Sequence, residues 1–156
     1  MHSLRNALLL SALISGQALA AGNIAVTESV QLNAKPAAVW ALVGDFNGLY
    51  RWHPAVIKSQ STSDTGRILT LGNGATISET LLSQDNEAHS YSYRIDESPL
   101  PVASYEASIA VSATENGSLV TWSSSFDASG ASDEEAASTI RGVYKAGLEH
   151  LSDLYN

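Results

Sequence analysis

The chain has 156 residues, 44% of them hydrophobic, and a formal net charge of −8 at pH 7. A chain of this length forms one ordinary domain that buries roughly two thirds of its unfolded surface, and its acidic balance disfavours nucleic-acid partners, whose phosphates it would repel. Because the chain contains no cysteine, disulfides, thiol catalysis and thiolate metal sites are excluded.

The N-terminal segment has the features of a signal peptide. Arg5 precedes an apolar run over residues 7–14, and Ala18-Leu19-Ala20 provides a small-x-small cleavage site. The run is too short to span a bilayer, and no later stretch reaches the roughly 20 apolar residues that spanning needs. We therefore predict a signal peptide over 1–20, cleavage after Ala20 and a periplasmic or secreted mature domain over 21–156 with no stable membrane anchor. An uncleaved segment that acts as a single-pass anchor is the alternative.

The first elements of the predicted domain are a strand and two short helices. Apolar residues recur at every second position over 24–32, which is the period of a half-buried strand. Pro36 suits the first turn of a helix, and Gly44 and Gly48 interrupt the helix-forming residues that follow. We predict the strand at 24–32 and the helices at about 36–43 and 46–52.

The middle of the chain alternates between apolar and polar residues, with short polar turns between the runs. Tyr91, Tyr93 and Ile95, for example, alternate with two serines and Arg94. One apolar face and one hydroxyl-rich face are expected of an antiparallel sheet that is covered on one side. The predicted strands are 55–62, 67–72, 75–83, 89–96, 103–114 and 118–127.

The last segment predicts a helix of about 23 residues that covers the sheet. Ser132 and Glu135 form a capping box at its start. The apolar stripe with helical spacing consists of Ile140, Val143, Tyr144, Gly147, Leu148, Leu151 and Leu154. Consecutive short-turn strands followed by one long helix indicate an α+β domain with a curved antiparallel sheet of about seven strands.

Few of the common catalytic or metal-binding patterns are present. His53, His89 and His150 have no metal-ligand spacing, and the chain contains no GxSxG, P-loop or dinucleotide-binding motif. The Gly72-Asn73-Gly74 cluster is typical of a turn. We therefore expect neither a metal nor a cofactor.

Glu79 is the clearest anomaly, because it occupies the apolar face of the strand pattern that includes Ile77 and Leu81. Burial of an unpaired carboxylate costs several kcal/mol, so this side chain must be paired, hydrated, protonated or near an edge. It is either a solvated strand end or a polar group of a pocket. Glu28 shows the same anomaly in the first strand.

Other residues have two interpretations each. Tyr93, Tyr105 and Trp122 are either core residues or ligand contacts whose polar tips need partners. His53 either transfers protons or packs its loop. Gly147 leaves room either for a ligand or for a close contact with the sheet.

Three segments carry a resemblance to a known superfamily. They are Phe46-Asn47-Gly48-Leu49 with Trp52-His53-Pro54, Ser92-Tyr93-Arg94-Ile95 to Ser98-Pro99-Leu100-Pro101, and Val120-Thr121-Trp122. With the order of elements, they resemble the bacterial polyketide cyclase/dehydrase-like proteins of the Bet v 1 and START superfamily. The resemblance implies a helix-grip fold that holds a hydrophobic molecule between the sheet and the terminal helix. The predicted export adds a similarity to periplasmic methanol-oxidation accessory proteins of this group.

The plant abscisic-acid receptors are distant relatives with a local match. Their gate loop aligns with Leu71 to Ala75 and their latch with Asp96 to Pro101. We expect Gly72 to Ala75 and Ser98 to Pro101 to control access to a cavity. Their pocket glutamate, phenylalanine and tyrosine align with Glu79, Tyr93 and Tyr105. A second pocket glutamate falls on Trp122, and the lysine that grips the hormone's carboxylate falls on Pro54. Binding of a similar acid is therefore not implied.

The leading hypothesis is a binding protein or carrier for a small hydrophobic molecule. The alternatives are a cyclase- or isomerase-type enzyme with Glu79 as the base, and an accessory protein that docks to a periplasmic oxidoreductase. The residues expected to bind the ligand are His53, Leu69, Asn73, Glu79, Tyr93, Ile95, Val102, Tyr105, Trp122, Val143 and Gly147.

Overall fold

The computed structural model describes residues 22–156. The predicted signal peptide, its cleavage site and Ala21 lie outside the described residues. Within the described part of the chain, no helix is long and apolar enough to cross a membrane.

Every element predicted for the described residues is present, with ends that differ by no more than two residues. The strands are β1 (Ile24–Leu32), β2 (Val56–Ser61), β3 (Gly66–Leu71), β4 (Thr76–Asp85), β5 (Ser90–Glu97), β6 (Val102–Thr114) and β7 (Gly117–Ala128). The helices are α1 (Pro36–Val43), a 3₁₀ helix (Phe46–Arg51) and α2 (Asp133–Tyr155). The second short helix is thus a 3₁₀ helix, begun by the Asp45 carboxylate, which accepts a hydrogen bond from Asn47 N at 3.1 Å.

The strands form one open sheet in the order β1-β7-β6-β5-β4-β3-β2, and all neighbours are antiparallel. Register shifts in β2, β4 and β6 mark irregularities of the kind that bend strands. The β3–β4 turn contains Gly74 at φ +85°, a conformation that favours glycine. This turn pairs Leu69 with Ile77 and Arg67 with Glu79. These observations confirm the α+β helix-grip fold.

α2 lies across the apolar face of the sheet and contacts β1 and β7. Its capping box is formed, because Glu135 N donates to Ser132 Oγ and Ser132 N donates to Glu135 Oε2, both at 3.1 Å. The predicted apolar stripe is too long by one residue. Leu151 is fully buried, whereas Leu154 is 51% exposed because the buried face of the last turn carries Tyr155, which packs against the core.

Glu28 has a partner at the β1 edge. Its Oε1 lies 3.3 Å from Nε of Arg141 on α2, and both side chains retain contact with solvent. An acid on the apolar face of β1 is therefore accommodated by an ion pair between strand and helix.

Candidate ligand-binding cavity

A cavity of about 360 Å³ lies between the sheet and the middle of α2. Its walls are mostly apolar. The sheet contributes side chains such as Leu69, Ile77 and Ile95, α2 contributes Ile140 and Ala146, and the loops before β2 and β6 close the sides. This volume falls in the lower part of the range for small-molecule sites, about 300 to 1,000 Å³.

The structure places most of the predicted site residues around this cavity. Those that line it are His53, Leu69, Glu79, Tyr93, Ile95, Tyr105, Trp122 and Val143. The other three lie outside the lining. The Asn73 side chain accepts a hydrogen bond from Ala75 N within the β3–β4 turn at 3.0 Å. Val102 lines a different hollow at the start of β6, and Gly147 packs against aromatic rings.

The two loops expected to control access are adjacent to the cavity. Leu71, at the end of β3, and Leu100, between β5 and β6, both line it. The β3–β4 turn is closed by a hydrogen bond from Gly74 N to Leu71 O at 2.9 Å, and Leu100 N donates to Ser98 Oγ at 3.0 Å. Gating by these loops stays a prediction.

Glu79 is buried and paired. It is 6% exposed and its Oε2 accepts from Nε of Arg67 at 2.7 Å, with Nη2 of Arg67 at 2.6 Å. Arg67 is itself 2% exposed, donates to Phe46 O and places its guanidinium carbon 3.8 Å from the Phe46 ring centre. The solvated strand-end interpretation of Glu79 is therefore wrong, because the carboxylate is held inside the protein by a guanidinium.

The charge state of the pair follows from its geometry. Burial raises the pKa of Glu79, and the Arg67 guanidinium opposes that rise. Arginine cannot be deprotonated in proteins, so a neutral Glu79 would leave a buried cation without a counter-charge. We conclude that the pair consists of a carboxylate and a guanidinium and has no net charge.

A chain of hydrogen bonds joins four aromatic side chains beside this ion pair. Trp122 Nε1 donates to the Tyr93 hydroxyl at 3.0 Å, Tyr93 and Tyr105 hydroxyls are 3.3 Å apart, and Tyr105 bonds to the hydroxyl of Tyr144. Burial raises the pKa of each tyrosine in the chain above its ordinary value. All three tyrosines therefore remain neutral phenols at physiological pH.

His53 has both ring nitrogens engaged by backbone groups. Nδ1 accepts from Ala55 N at 3.2 Å, and Nε2 lies 2.8 Å from Val143 O on α2, to which it must donate. Burial lowers the pKa of His53, which is consistent with this neutral tautomer. The side chain ties the loop before β2 to α2, and neither nitrogen is free for proton transfer.

Close packing against aromatic rings explains why position 147 is a glycine. A Cβ at this position would lie 2.8 Å from Cδ2 of His53, 3.0 Å from the Trp52 ring and 3.2 Å from the Trp122 ring. The second glycine inside α2, Gly142, lines the cavity, and a Cβ there would meet nothing within 4 Å.

Alanine substitutions at these two glycines should have opposite effects on stability. Gly147→Ala should lower the free energy of unfolding by about 1 to 3 kcal/mol, because three rings must shift. Gly142→Ala should raise it by about 0.5 to 1 kcal/mol, because only the helix propensity changes. Chemical denaturation of both variants checks this, and a Gly147→Ala protein as stable as Gly142→Ala would contradict the close-packing explanation.

Sequence reasoning missed Arg67 and placed Tyr144 only in the apolar stripe of α2. Arg67 shares the inward face of β3 with Leu69 and Leu71. It is therefore a charged residue on the apolar face of a strand, as Glu79 is, and could have been recognised in the same way. Among residues 22–156, no group of three or more His, Cys, Asp or Glu could hold a metal ion. The polar groups at the cavity are thus an ion pair, two phenols, the Trp122 indole, and His53 and Thr139, which bond to backbone carbonyls.

The family described as "Polyketide cyclase / dehydrase and lipid transport" matches residues 23–155. The chain belongs to this family. A comparison with curated proteins gives no match.

Three solved structures from bacteria are similar to this chain in sequence and fold. XoxI from Bacillus cereus has 34% identity and a TM-score of 0.82, with 84% of this chain and 94% of that chain covered. An uncharacterised protein from Bacillus thuringiensis has 35% identity and a TM-score of 0.81, with 84% and 98% covered. A Thermobifida fusca protein has 30% identity and a TM-score of 0.75, with 84% and 92% covered.

Proposed function

We propose that this protein binds and carries a small, largely apolar molecule in the cavity between the sheet and α2. The cavity itself is the observation that carries the proposal, because it is lined mostly by apolar side chains and its few polar groups are bonded mainly to other groups of the protein. Such a lining stabilises an apolar body and fixes it with a few polar contacts. The family description, which includes lipid transport, supports this function.

We propose further that the carrier works outside the cytoplasm. The support is the sequence of the first twenty residues, with its apolar run and the Ala18-Leu19-Ala20 site. The acidic net charge of −8 would keep such a carrier away from anionic polymers and membrane surfaces.

The carrier function is tested with N-phenyl-1-naphthylamine, a neutral dye that fluoresces in apolar surroundings. Wild type should bind it, and Ala146→Phe should weaken binding by at least about tenfold, or about 1.4 kcal/mol. Ala146 lines the cavity from α2, so a phenyl ring there occupies the ligand space.

Lys145→Phe is the matched control, because Lys145 is the exposed neighbour on the same helix and does not line the cavity. It should bind the dye like wild type. Equal binding by all three proteins would place the dye elsewhere and count against the carrier.

A second candidate function is proton-transfer catalysis of the cyclase or isomerase type. The observation that favours it is a carboxylate whose pKa is raised by burial, in a cavity that is also lined by the Tyr93 and Tyr105 phenols. Against it, the Glu79 carboxylate is held by Arg67 and His53 is fully bonded. Unchanged recovery of each bound compound after prolonged incubation would favour the carrier, and an isomerised or cyclised product would favour the enzyme.

The accessory-protein alternative is favoured by the likeness to XoxI. It is tested by affinity capture of an oxidoreductase with the folded protein as bait. A stoichiometric complex would support docking.

A further inference from the structure

The cavity presents one carboxylate oxygen without a partner. Arg67 Nε and Nη2 both approach Oε2 of Glu79, at 2.7 and 2.6 Å. None of the hydrogen bonds within the described residues reaches Oε1, although Glu79 lines the cavity. This oxygen is therefore an acceptor that only a ligand or solvent can satisfy.

The tyrosine chain has one hydroxyl proton more than its bonds require. Tyr93, Tyr105 and Tyr144 carry one hydroxyl proton each, and the two links between them use one proton per link. The Trp122 N–H adds a donor and no acceptor. Whatever the direction of the chain, one phenolic O–H must find an acceptor outside it.

The surplus proton has a favourable place only at the cavity. Tyr144 is 0% exposed, and Ser124 Oγ, buried near that end, has no hydrogen-bond partner. Extending the chain to Ser124 would only move the surplus proton to another buried hydroxyl, and an unsatisfied buried donor costs about 1 to 3 kcal/mol. The surplus proton therefore belongs to Tyr93 or Tyr105, both of which line the cavity, and Tyr93 is the one that neighbours Glu79 in the sheet.

The acceptor and the donor lie on the same face of neighbouring strands. Glu79 pairs with Ile95 and Leu81 pairs with Tyr93 in the β4–β5 register, so Glu79 and Tyr93 are diagonal neighbours. The Arg67 guanidinium carbon, bonded to Glu79, is 5.6 Å from the Tyr93 ring centre. The two side chains are therefore neighbours in the lining of the same cavity.

The cavity has no free positive charge. Arg67 is matched by Glu79, and no lysine or other arginine lines the cavity within residues 22–156. An anionic headgroup would face the Glu79 carboxylate without a compensating cation, which disfavours it strongly in an apolar site. A hydroxyl group, by contrast, both donates and accepts.

We propose that the ligand is a neutral, mostly apolar molecule with a hydroxyl group that donates to Glu79 Oε1 and accepts from the Tyr93 hydroxyl. This assignment rests on the proposed carrier function and narrows its ligand class to alcohols and phenols, excluding free carboxylic acids. It also gives Glu79 a binding role that needs no proton transfer.

Four probes of one shape test the assignment: naphthalene, 2-methoxynaphthalene, 2-naphthol and 2-naphthoate, titrated calorimetrically at neutral pH. 2-Naphthol should bind at least about tenfold more tightly than naphthalene, because it forms one hydrogen bond to a charged group and one to a phenol. 2-Methoxynaphthalene can only accept and should fall between them. 2-Naphthoate should bind least tightly.

Tyr93→Phe removes the donor and should cut the preference for 2-naphthol over naphthalene severalfold. This ratio of affinities cancels any general effect of the substitution on the cavity. Tyr91→Phe is the control, because Tyr91 is an equally buried tyrosine of β5 outside the cavity lining. Melting curves check that both variants fold. If Tyr93→Phe does not fold, the affinities of the four probes for the wild type test the hydroxyl assignment by themselves.

The outcomes distinguish failure of the hydroxyl assignment from failure of the carrier function. If naphthalene binds and Ala146→Phe blocks it, but 2-naphthol shows no advantage or 2-naphthoate binds as well, the hydroxyl assignment is overturned and the carrier stands. If none of the four probes binds in the cavity, the carrier function fails and the assignment fails with it.

Discussion

Leu148→Asp is expected to unfold the domain or to lower its free energy of unfolding by more than about 4 kcal/mol. Leu148 is 3% exposed in the middle of α2. The substitution removes about 1.5 to 3 kcal/mol of side-chain burial and places an unpaired carboxylate in the interface between helix and sheet, at a cost of several kcal/mol more. A domain of this size is stabilised by only about 5 to 15 kcal/mol in total.

The same substitution at Leu154 is the control. Leu154 belongs to the same helix and is 51% exposed, so Leu154→Asp loses little burial and should cost less than about 1 kcal/mol, mostly from a negative charge near the helix C-terminus. Circular dichroism melting of both variants checks the pair. A Leu148→Asp protein that melts with the wild type would contradict the packing of α2 on the sheet.

The fold could be predicted from the sequence because its signals are local. Alternation at every second residue identifies strands, the capping box at Ser132 marks the start of α2, and short polar turns force neighbouring strands to be antiparallel. The error at Leu154 has a physical cause. Leu154 and Tyr155 both fit the helical spacing after Leu151, but only Tyr155 packs against the core. The spacing alone does not say which of the two side chains faces the sheet.

The candidate site could be predicted less completely because its contacts are long-range. Glu79 was recognisable as a polar residue on an apolar face, but its environment depends on Phe46 O and on the chain between Trp122 and Tyr144. The tight contact of Gly147 with Trp52 joins parts of the chain that no spacing rule connects. Such contacts can be identified only from the three-dimensional structure.

Arg67 is a different case, since its pairing with Glu79 was within reach of the sequence. In a hairpin whose turn is centred on Asn73, residues at equal sequence distances before and after Asn73 lie opposite each other. The resulting pairs are Leu71 with Ala75, Leu69 with Ile77, and Arg67 with Glu79. The structure has this register. An inward arginine opposite an inward glutamate predicts a buried ion pair, and the acid on the apolar face then needs no solvent.

Arg67→Met should lower the free energy of unfolding by about 3 to 5 kcal/mol, the usual effect of removing one partner from a buried ion pair. The loss arises mainly because Glu79, 6% exposed, is left as an uncompensated carboxylate. Glu79→Leu should be destabilising for the mirror-image reason, since it leaves a buried guanidinium. The double variant Arg67→Met/Glu79→Leu removes both charges and should recover most of the stability of the wild type.

The pH dependence of Arg67→Met separates this explanation from a simple loss of packing. Burial raises the pKa of Glu79, and the variant lacks the guanidinium that opposes the rise. A raised folded-state pKa contributes stability that is present below the unfolded value of about 4.3 and is lost as pH rises through the folded value. The melting temperature of Arg67→Met should therefore fall further below that of the wild type as pH rises above about 4.3, whereas the difference between the double variant and the wild type should not change with pH. A gap for Arg67→Met that does not change with pH would show that packing around the long arginine side chain, and not the stranded carboxylate, accounts for the loss.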